Sequence, residues 1–262
     1  MRQESPSPFQ IIYGIHPVGE TLKSGHLKTE RIFIGTRNPN PALQAVMDLA
    51  HREGVPITFS PRGELDRMAR GGVHQNVVGV VQEFPFADLS NLISQWKRES
   101  TPALFLLLDG IQDPQNLGSL IRTAVGSGAH GVIIPKDRAV GITPSVIKAS
   151  AGSTAHLPIV RVVNIANTID FLKNNGVWVY GAAAEAKTPI YELDFTIDLA
   201  IVIGSEGKGI RPLVEKKCDR LFSIPMAGPI ASFNASVSGG MVLYEVMRQR
   251  RKLRSSGHNG SP

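Results

Sequence analysis

The sequence predicts an α/β protein: a small N-terminal α/β unit followed by a larger one built on a mostly parallel sheet. Two observations carry this. Short, strongly apolar segments recur along the chain, clearest at 104–108 and 199–203. Segments with apolar residues at helical spacing lie between them, and such strand–helix alternation builds a parallel sheet covered on both faces. The length of 262 residues, 42% of them hydrophobic, suits one large or two smaller domains with sizeable cores.

The elements are read in order. Residues 1–8 form a flexible lead. Residues 30–34 read as a strand, and 41–53 as a helix with Leu43, Val46, Met47 and Ala50 on one face. Strands are expected again at 55–59 and 77–81. The first unit is thus 9–84, near the lower size at which a domain folds alone. Residues 85–100 read as a linker carrying a short helical piece around 92–97. The second unit, 101–252, opens on the strand 104–108. Its first helix, 115–126, has the stripe Leu117, Leu120, Ile121, Ala124 and Val125. Strands are expected near 132–134, 159–160, 177–180, 199–203 and 221–224. A long helix covers about 234–251, and 253–262 reads as a flexible basic tail.

Composition narrows the function classes. No apolar run approaches the ~20 residues of a membrane-spanning helix, and the first residues lack the apolar stretch of a signal peptide. A soluble cytoplasmic protein is expected. Cys218 is the only cysteine, so neither an internal disulfide nor a thiolate metal cluster can form. The seven histidines are scattered, and no metal is expected. The net charge of +6 is localised. Up to Phe84 there are nine basic and eight acidic residues, and from Thr101 seventeen and twelve. Removing Arg248, Arg250, Arg251, Lys252 and Arg254 balances the second half at twelve each. Such a cluster suits phosphate contact, and equally suits the C-terminal end of a helix dipole.

Four motifs are candidates for chemistry. The segment 126–131, Gly-Ser-Gly-Ala-His-Gly, has the spacing of a dinucleotide loop. It follows a helix and precedes a strand, the reverse of what that loop needs, and is rejected. The segment 204–209, Gly-Ser-Glu-Gly-Lys-Gly, follows the apolar strand 199–203, where open sheets bind ligands. A tight turn is its bland alternative. Residues 113–118, Asp-Pro-Gln-Asn-Leu-Gly, lie at a strand-to-helix turn. Asn116 there suits an N-cap, or an anion or ribose at the helix start. Arg122 further on is either solvated or a phosphate ligand. Ser232 and Asn234 suit helix capping, or the holding of a substrate hydroxyl.

Together, these last three motifs resemble the SpoU (TrmH) family of the SPOUT superfamily, RNA 2′-O-ribose methyltransferases. They are 113–118 with Arg122, 203–209, and Ile224-Pro225-Met226 with 232–236. The N-terminal part, with 13–18 and His74-Gln75-Asn76, resembles the family's L30e-like substrate-binding domain. The resemblance implies a deep trefoil knot in the C-terminal part, a homodimer, and S-adenosylmethionine as cofactor. It implies methyl transfer to structured RNA, foremost a guanosine ribose of large-subunit ribosomal RNA. The same chemistry on transfer RNA or an antibiotic-resistance site, or a non-catalytic RNA-binding role, are the alternatives. By carry-over Gly204, Ser205, Gly207, Ile224, Met226 and Phe233 bind the cofactor. Asn116, Arg122, Glu206, Ser232 and Asn234 form the reaction site, with Arg122 as phosphate anchor or base. Arg31, Arg37, His74, Gln75, Asn76, Arg250, Arg251 and Lys252 are the candidate RNA contacts. Phe233, Asn76 and Ser238-Gly239-Gly240 depart from the family pattern, and the paired glycines suggest close packing at a dimer interface.

Overall fold

The computed structural model describes residues 9–25, 27–229 and 232–257. The lead expected over 1–8 and the last residues of the tail, 258–262, lie outside them. The chain divides after Pro85 into two compact units.

The first unit runs β1 (Phe9–Tyr13), α1 (Ile15–Ser24), β2 (Thr29–Ile34), α2 (Pro41–Arg52), β3 (Ile57–Phe59), α3 (Arg62–Met68) and β4 (Val77–Gln82). Its sheet has the order β1-β4-β2-β3, with only β2 and β3 parallel. Helix α2 starts where Asn40 accepts the Leu43 N–H at 2.8 Å, with Pro41 supplying a helix-ready φ. Leu43, Val46, Met47 and Ala50 are buried, the face its spacing predicts.

The second unit runs α4 (Leu89–Trp96), β5 (Leu104–Asp109), α5 (Pro114–Gly126), β6 (Gly131–Pro135), α6 (Pro144–Ala149), β7 (Ile159–Val162), α7 (Ile165–Asn174), β8 (Trp178–Ala182), β9 (Leu199–Gly204), α8 (Pro212–Lys217), β10 (Arg220–Phe222) and α9 (Ala235–Gly257). The six strands pair in parallel, in the order β10-β8-β9-β5-β6-β7. Strands β5 and β9 are central and buried throughout their apolar runs, as in a parallel sheet covered on both faces. From β5 the chain adds β6 and β7 on one side, then crosses to β8, β9 and β10 on the other. Ligands bind beyond the carboxyl ends of strands at such a reversal. The β5–β9 register sets Asp109 opposite Gly204 at that edge.

Several expectations are corrected. Residues 86–100 belong to the second unit and are not a linker. Asp88 caps α4 by accepting the Asn91 N–H at 2.9 Å, and Leu92, Ile93 and Trp96 are buried in the core with Phe105 and Ile133. Residues 253–257 continue α9 and do not form a flexible tail. Gly239 packs within the chain: a side-chain carbon there would collide with Leu120 of α5. Gly239 thus serves the α5–α9 contact, whereas a side-chain carbon on Gly240 would meet nothing within 4 Å.

Candidate active site

Three segments far apart in sequence meet at the edge beyond β5 and β9. Asp113 starts α5, accepting the N–H groups of Gln115 and Asn116 at 3.2 Å each. Asn116 is therefore not the cap but a first-turn residue, with its side chain freed to face inward at 7% exposure. Its Nδ2 donates to Glu206 Oε1 at 2.7 Å, and its Oδ1 accepts from Asn234 Nδ2 at 3.0 Å. Asn234 Nδ2 also donates to Glu206 Oε1. Asn234 Oδ1 accepts from the Ser236 N–H at 2.9 Å and the Val237 N–H at 3.3 Å, capping α9. Every oxygen and nitrogen of the two amides thus has a defined role, which fixes which way each amide faces. Both amides therefore reach the Glu206 carboxylate through the same oxygen, Oε1.

Glu206 also lines a cavity of about 460 Å³, within the ~300–1,000 Å³ usual for small-molecule sites. Gly204, Ser205, Gly207, Ile224, Met226 and Phe233 all line it, as does Ser232. Gly204 has a different reason to be glycine than close approach to a ligand. A side-chain carbon there would collide with the backbone of Gly209 and Ile210, so the loop could not fold back on its strand. Ser205 and Gly209 close that loop with reciprocal backbone bonds of 3.0 and 2.9 Å.

Sequence reasoning missed three parts of this region. The turn 182–185 after β8, with Glu185, lines the cavity, and so does Glu215 of α8. The lining therefore carries the carboxylates of Glu185, Glu206 and Glu215 against one cation, Lys208. The third is Asp109, whose side chain is fully buried at the end of β5. Its Oδ2 accepts the Arg211 N–H at 2.8 Å and its Oδ1 the Arg211 Nε–H at 2.7 Å. This pair anchors the far end of the glycine loop to the central strand. An acid closing an otherwise apolar strand was the available signal.

Arg122 is not in the cluster. It is exposed, and six residues along α5 set it about 240° around the helix from Asn116. Among the described residues it makes no ion pair. Of the expected RNA contacts, Arg31, Arg37, Gln75, Arg251 and Lys252 are exposed. Two are corrected. His74 is buried: Nδ1 accepts the Asn76 N–H at 3.1 Å, so Nε2 carries the proton toward Asp66 Oδ1 at 2.9 Å. It shapes the turn that places Gln75 and Asn76 in left-handed backbone, and Gln75 Oε1 accepts the Ile15 N–H at the start of α1. Arg250 donates to the carbonyls of Phe195, Pro102, Ala103 and Ile197 at 2.6–3.1 Å, so its guanidinium is occupied by backbone, not phosphate. The segment 126–131 ends α5 and leads into β6, so it forms no cofactor loop.

Among the described residues no helix is long and apolar enough to cross a membrane, and no cluster could hold a metal ion. Residues 103–244 match the SpoU rRNA Methylase family, and residues 11–87 match the RNA 2′-O ribose methyltransferase substrate-binding family. The chain is 44% identical over 242 residues to the putative TrmH family tRNA/rRNA methyltransferase YacO of Bacillus subtilis, covering 92% of this chain and 96% of that one. It is 43% identical to the 23S rRNA (guanosine-2′-O-)-methyltransferase RlmB of Coxiella burnetii, covering 93% and 97%. The SpoU methyltransferase AviRb from Streptomyces viridochromogenes, solved in complex with the cofactor AdoMet, superposes with a TM-score of 0.63 at 25% identity, covering 94% of this chain and 92% of that one. With its three motifs assembled at one sheet edge and both segments matched, the chain belongs to the SpoU rRNA methylase family and carries that family's RNA substrate-binding domain at its N-terminal side.

Proposed function

We propose that this chain transfers the methyl group of S-adenosylmethionine to the 2′-hydroxyl of a guanosine in 23S ribosomal RNA, in the cytoplasm. The observation that carries the reading is Glu206, which belongs both to the cavity wall and to the amide cluster of Asn116 and Asn234. It puts a hydroxyl-binding acceptor beside a small-molecule site. The relatives named RlmB and the AdoMet-bound AviRb support the choice of substrate and cofactor.

The cavity suits that cofactor. Its lining has apolar walls, Ile203, Phe222, Ile224, Met226 and Phe233, for a flat base, and an acidic balance for a ligand of net positive charge. When bound, S-adenosylmethionine supplies a methyl group already activated on a sulfonium, so no metal is needed. The chain's work is to align and deprotonate the hydroxyl. Holding the two reactants in line contributes roughly 7–11 kcal/mol. Asn116 and Asn234 hold Glu206 Oε1, and Oε2 orients the hydroxyl and takes up the proton it loses. Ser232, on the cavity wall, positions the same group. Arg122, exposed and turned away from Asn116 on α5, anchors RNA phosphate. Arg31, Arg37, Gln75 and Asn76 meet the RNA from the first unit, and Arg251 and Lys252 from α9.

The family's knotted C-terminal segment and homodimer belong to the same reading. The dimer is assigned to the exposed apolar stripe of α9, Val237, Met241 and Tyr244, which recurs at helical spacing. Equilibrium sedimentation tests the dimer. Labelled methyl transfer to unmodified 23S ribosomal RNA and to transfer RNA tests the function. Incorporation into transfer RNA alone would move the substrate, and incorporation into neither would end the reading.

A further inference from the structure

The turn after β6 carries two cations that the proposed reaction has not used. Lys136 and Arg138 are exposed, and among the described residues neither pairs with a carboxylate. The turn is pinned at both ends. The Lys136 N–H donates to Val162 O at 2.7 Å, and the Val140 N–H to Ile111 O at 2.9 Å. It therefore stands beside the loop that leaves β5, one strand spacing away, about 4.8 Å. A side-chain carbon on Gly110 would lie 3.7 Å from Arg138 O and 3.9 Å from Ser205 Cβ. Arg138 and the glycine loop thus flank the same residue.

The backbone of Arg138 has φ 59°, left-handed and strained for a residue with a Cβ. Glycine would relieve that strain, yet an arginine stands there, and strain of this kind gathers at functional sites. Along the sheet edge the order is cavity beyond β8 and β9, amide–carboxylate cluster beyond β9 and β5, then cationic turn beyond β6. Ribose chemistry demands such an order. The 2′-hydroxyl and the phosphate-bearing 3′-oxygen sit on adjacent carbons, so a hydroxyl brought to Glu206 brings a phosphate with it. The cavity wall repels that phosphate, and the Arg211 guanidinium is held by Asp109.

Resting on the methyl-transfer reading, we propose that Arg138, assisted by Lys136, binds the phosphate adjoining the target ribose and so positions its hydroxyl at Glu206. The test uses the full chain and unmodified 23S ribosomal RNA transcribed in vitro. Arg138→Gly removes the guanidinium while suiting the backbone, so the melting temperature should not fall. The slope of log affinity against log salt should shrink by about one unit. KM should rise about tenfold with kcat within about twofold. Arg138→Lys should recover most of both, and calorimetric AdoMet affinity should be unchanged in either variant. An unchanged slope and KM in Arg138→Gly, with AdoMet bound normally, would overturn the phosphate contact alone. A wild-type chain that binds no AdoMet would overturn the methyl-transfer reading, and this assignment with it.

Discussion

Asn234 donates through Nδ2 to Asn116 Oδ1 at 3.0 Å while its own Oδ1 accepts the Ser236 N–H at 2.9 Å. One amide therefore both starts α9 and joins that helix to α5. The two roles separate by substitution. Asn234→Asp keeps a good cap but loses the donor and faces Glu206 with a second carboxylate. It should melt close to wild type and lose at least about 100-fold in methyl transfer. Asn234→Ala should lose the activity and also about 1 kcal/mol of stability. Paired melting curves and transfer rates check this. Equal rates in Asn234→Asp and wild type would remove the donor from the mechanism.

Arg250 holds the backbone at the entry of β5 and at 195–197 to α9. Replacing it by Gln should cost at least about 2 kcal/mol in urea denaturation, since the carbonyls lose a charged donor. RNA affinity at a given salt should be unaffected once the protein is folded. A fall in affinity without a fall in stability would return Arg250 to the RNA contacts.

The placement of α4 sets where the second unit can be cut. Residues 86–257 should fold alone and bind AdoMet, whereas 101–257 should not. The shorter fragment removes Leu92, Ile93 and Trp96, and truncating even one large core side chain costs about 2–5 kcal/mol. Circular dichroism and calorimetry of the two fragments decide it. A stable 101–257 would mean that α4 is dispensable to that core.

His130 provides a pH dependence of stability. Burial lowers its pKa below the usual 6.5, outweighing the Glu99 carboxylate that raises it. Its Nδ1 accepts the Leu104 N–H at 3.0 Å, a bond that only the unprotonated nitrogen can make. A lowered folded pKa means that the unfolded chain binds the proton more readily below about pH 6.5. Stability should therefore fall as pH drops from there through the folded pKa, and the fall should flatten in His130→Asn. Melting temperatures across that window measure it. An identical slope in the variant would assign the loss to other groups.

Much of the second unit is legible because its signals are local and strong. Leu117, Leu120, Ile121 and Ala124 repeat at helical spacing and are all buried. Strands β5 and β9 are apolar runs too short for helices. The six cofactor candidates all lie on one cavity wall, yet only a long-range register, Asp109 opposite Gly204, brings their loops to Asn116. Strand β1 escapes because it is a half-exposed edge strand, and the helical piece expected around 92–97 is read as linker because its buried face is short and set in polar sequence. Arg250 was hidden in a charged run. Val246 and Val242, one and two turns earlier on the same face, are fully buried, and they were the available sign that it points inward.

The most direct test is to incubate the chain with labelled S-adenosylmethionine and unmodified 23S ribosomal RNA, then map the product by alkaline hydrolysis. A 2′-O-methyl group blocks attack on the adjoining phosphodiester. The account predicts label at one guanosine and one hydrolysis-resistant bond immediately 3′ to it. Label released with the base, or a transcript hydrolysed at every bond, would contradict transfer to a ribose hydroxyl.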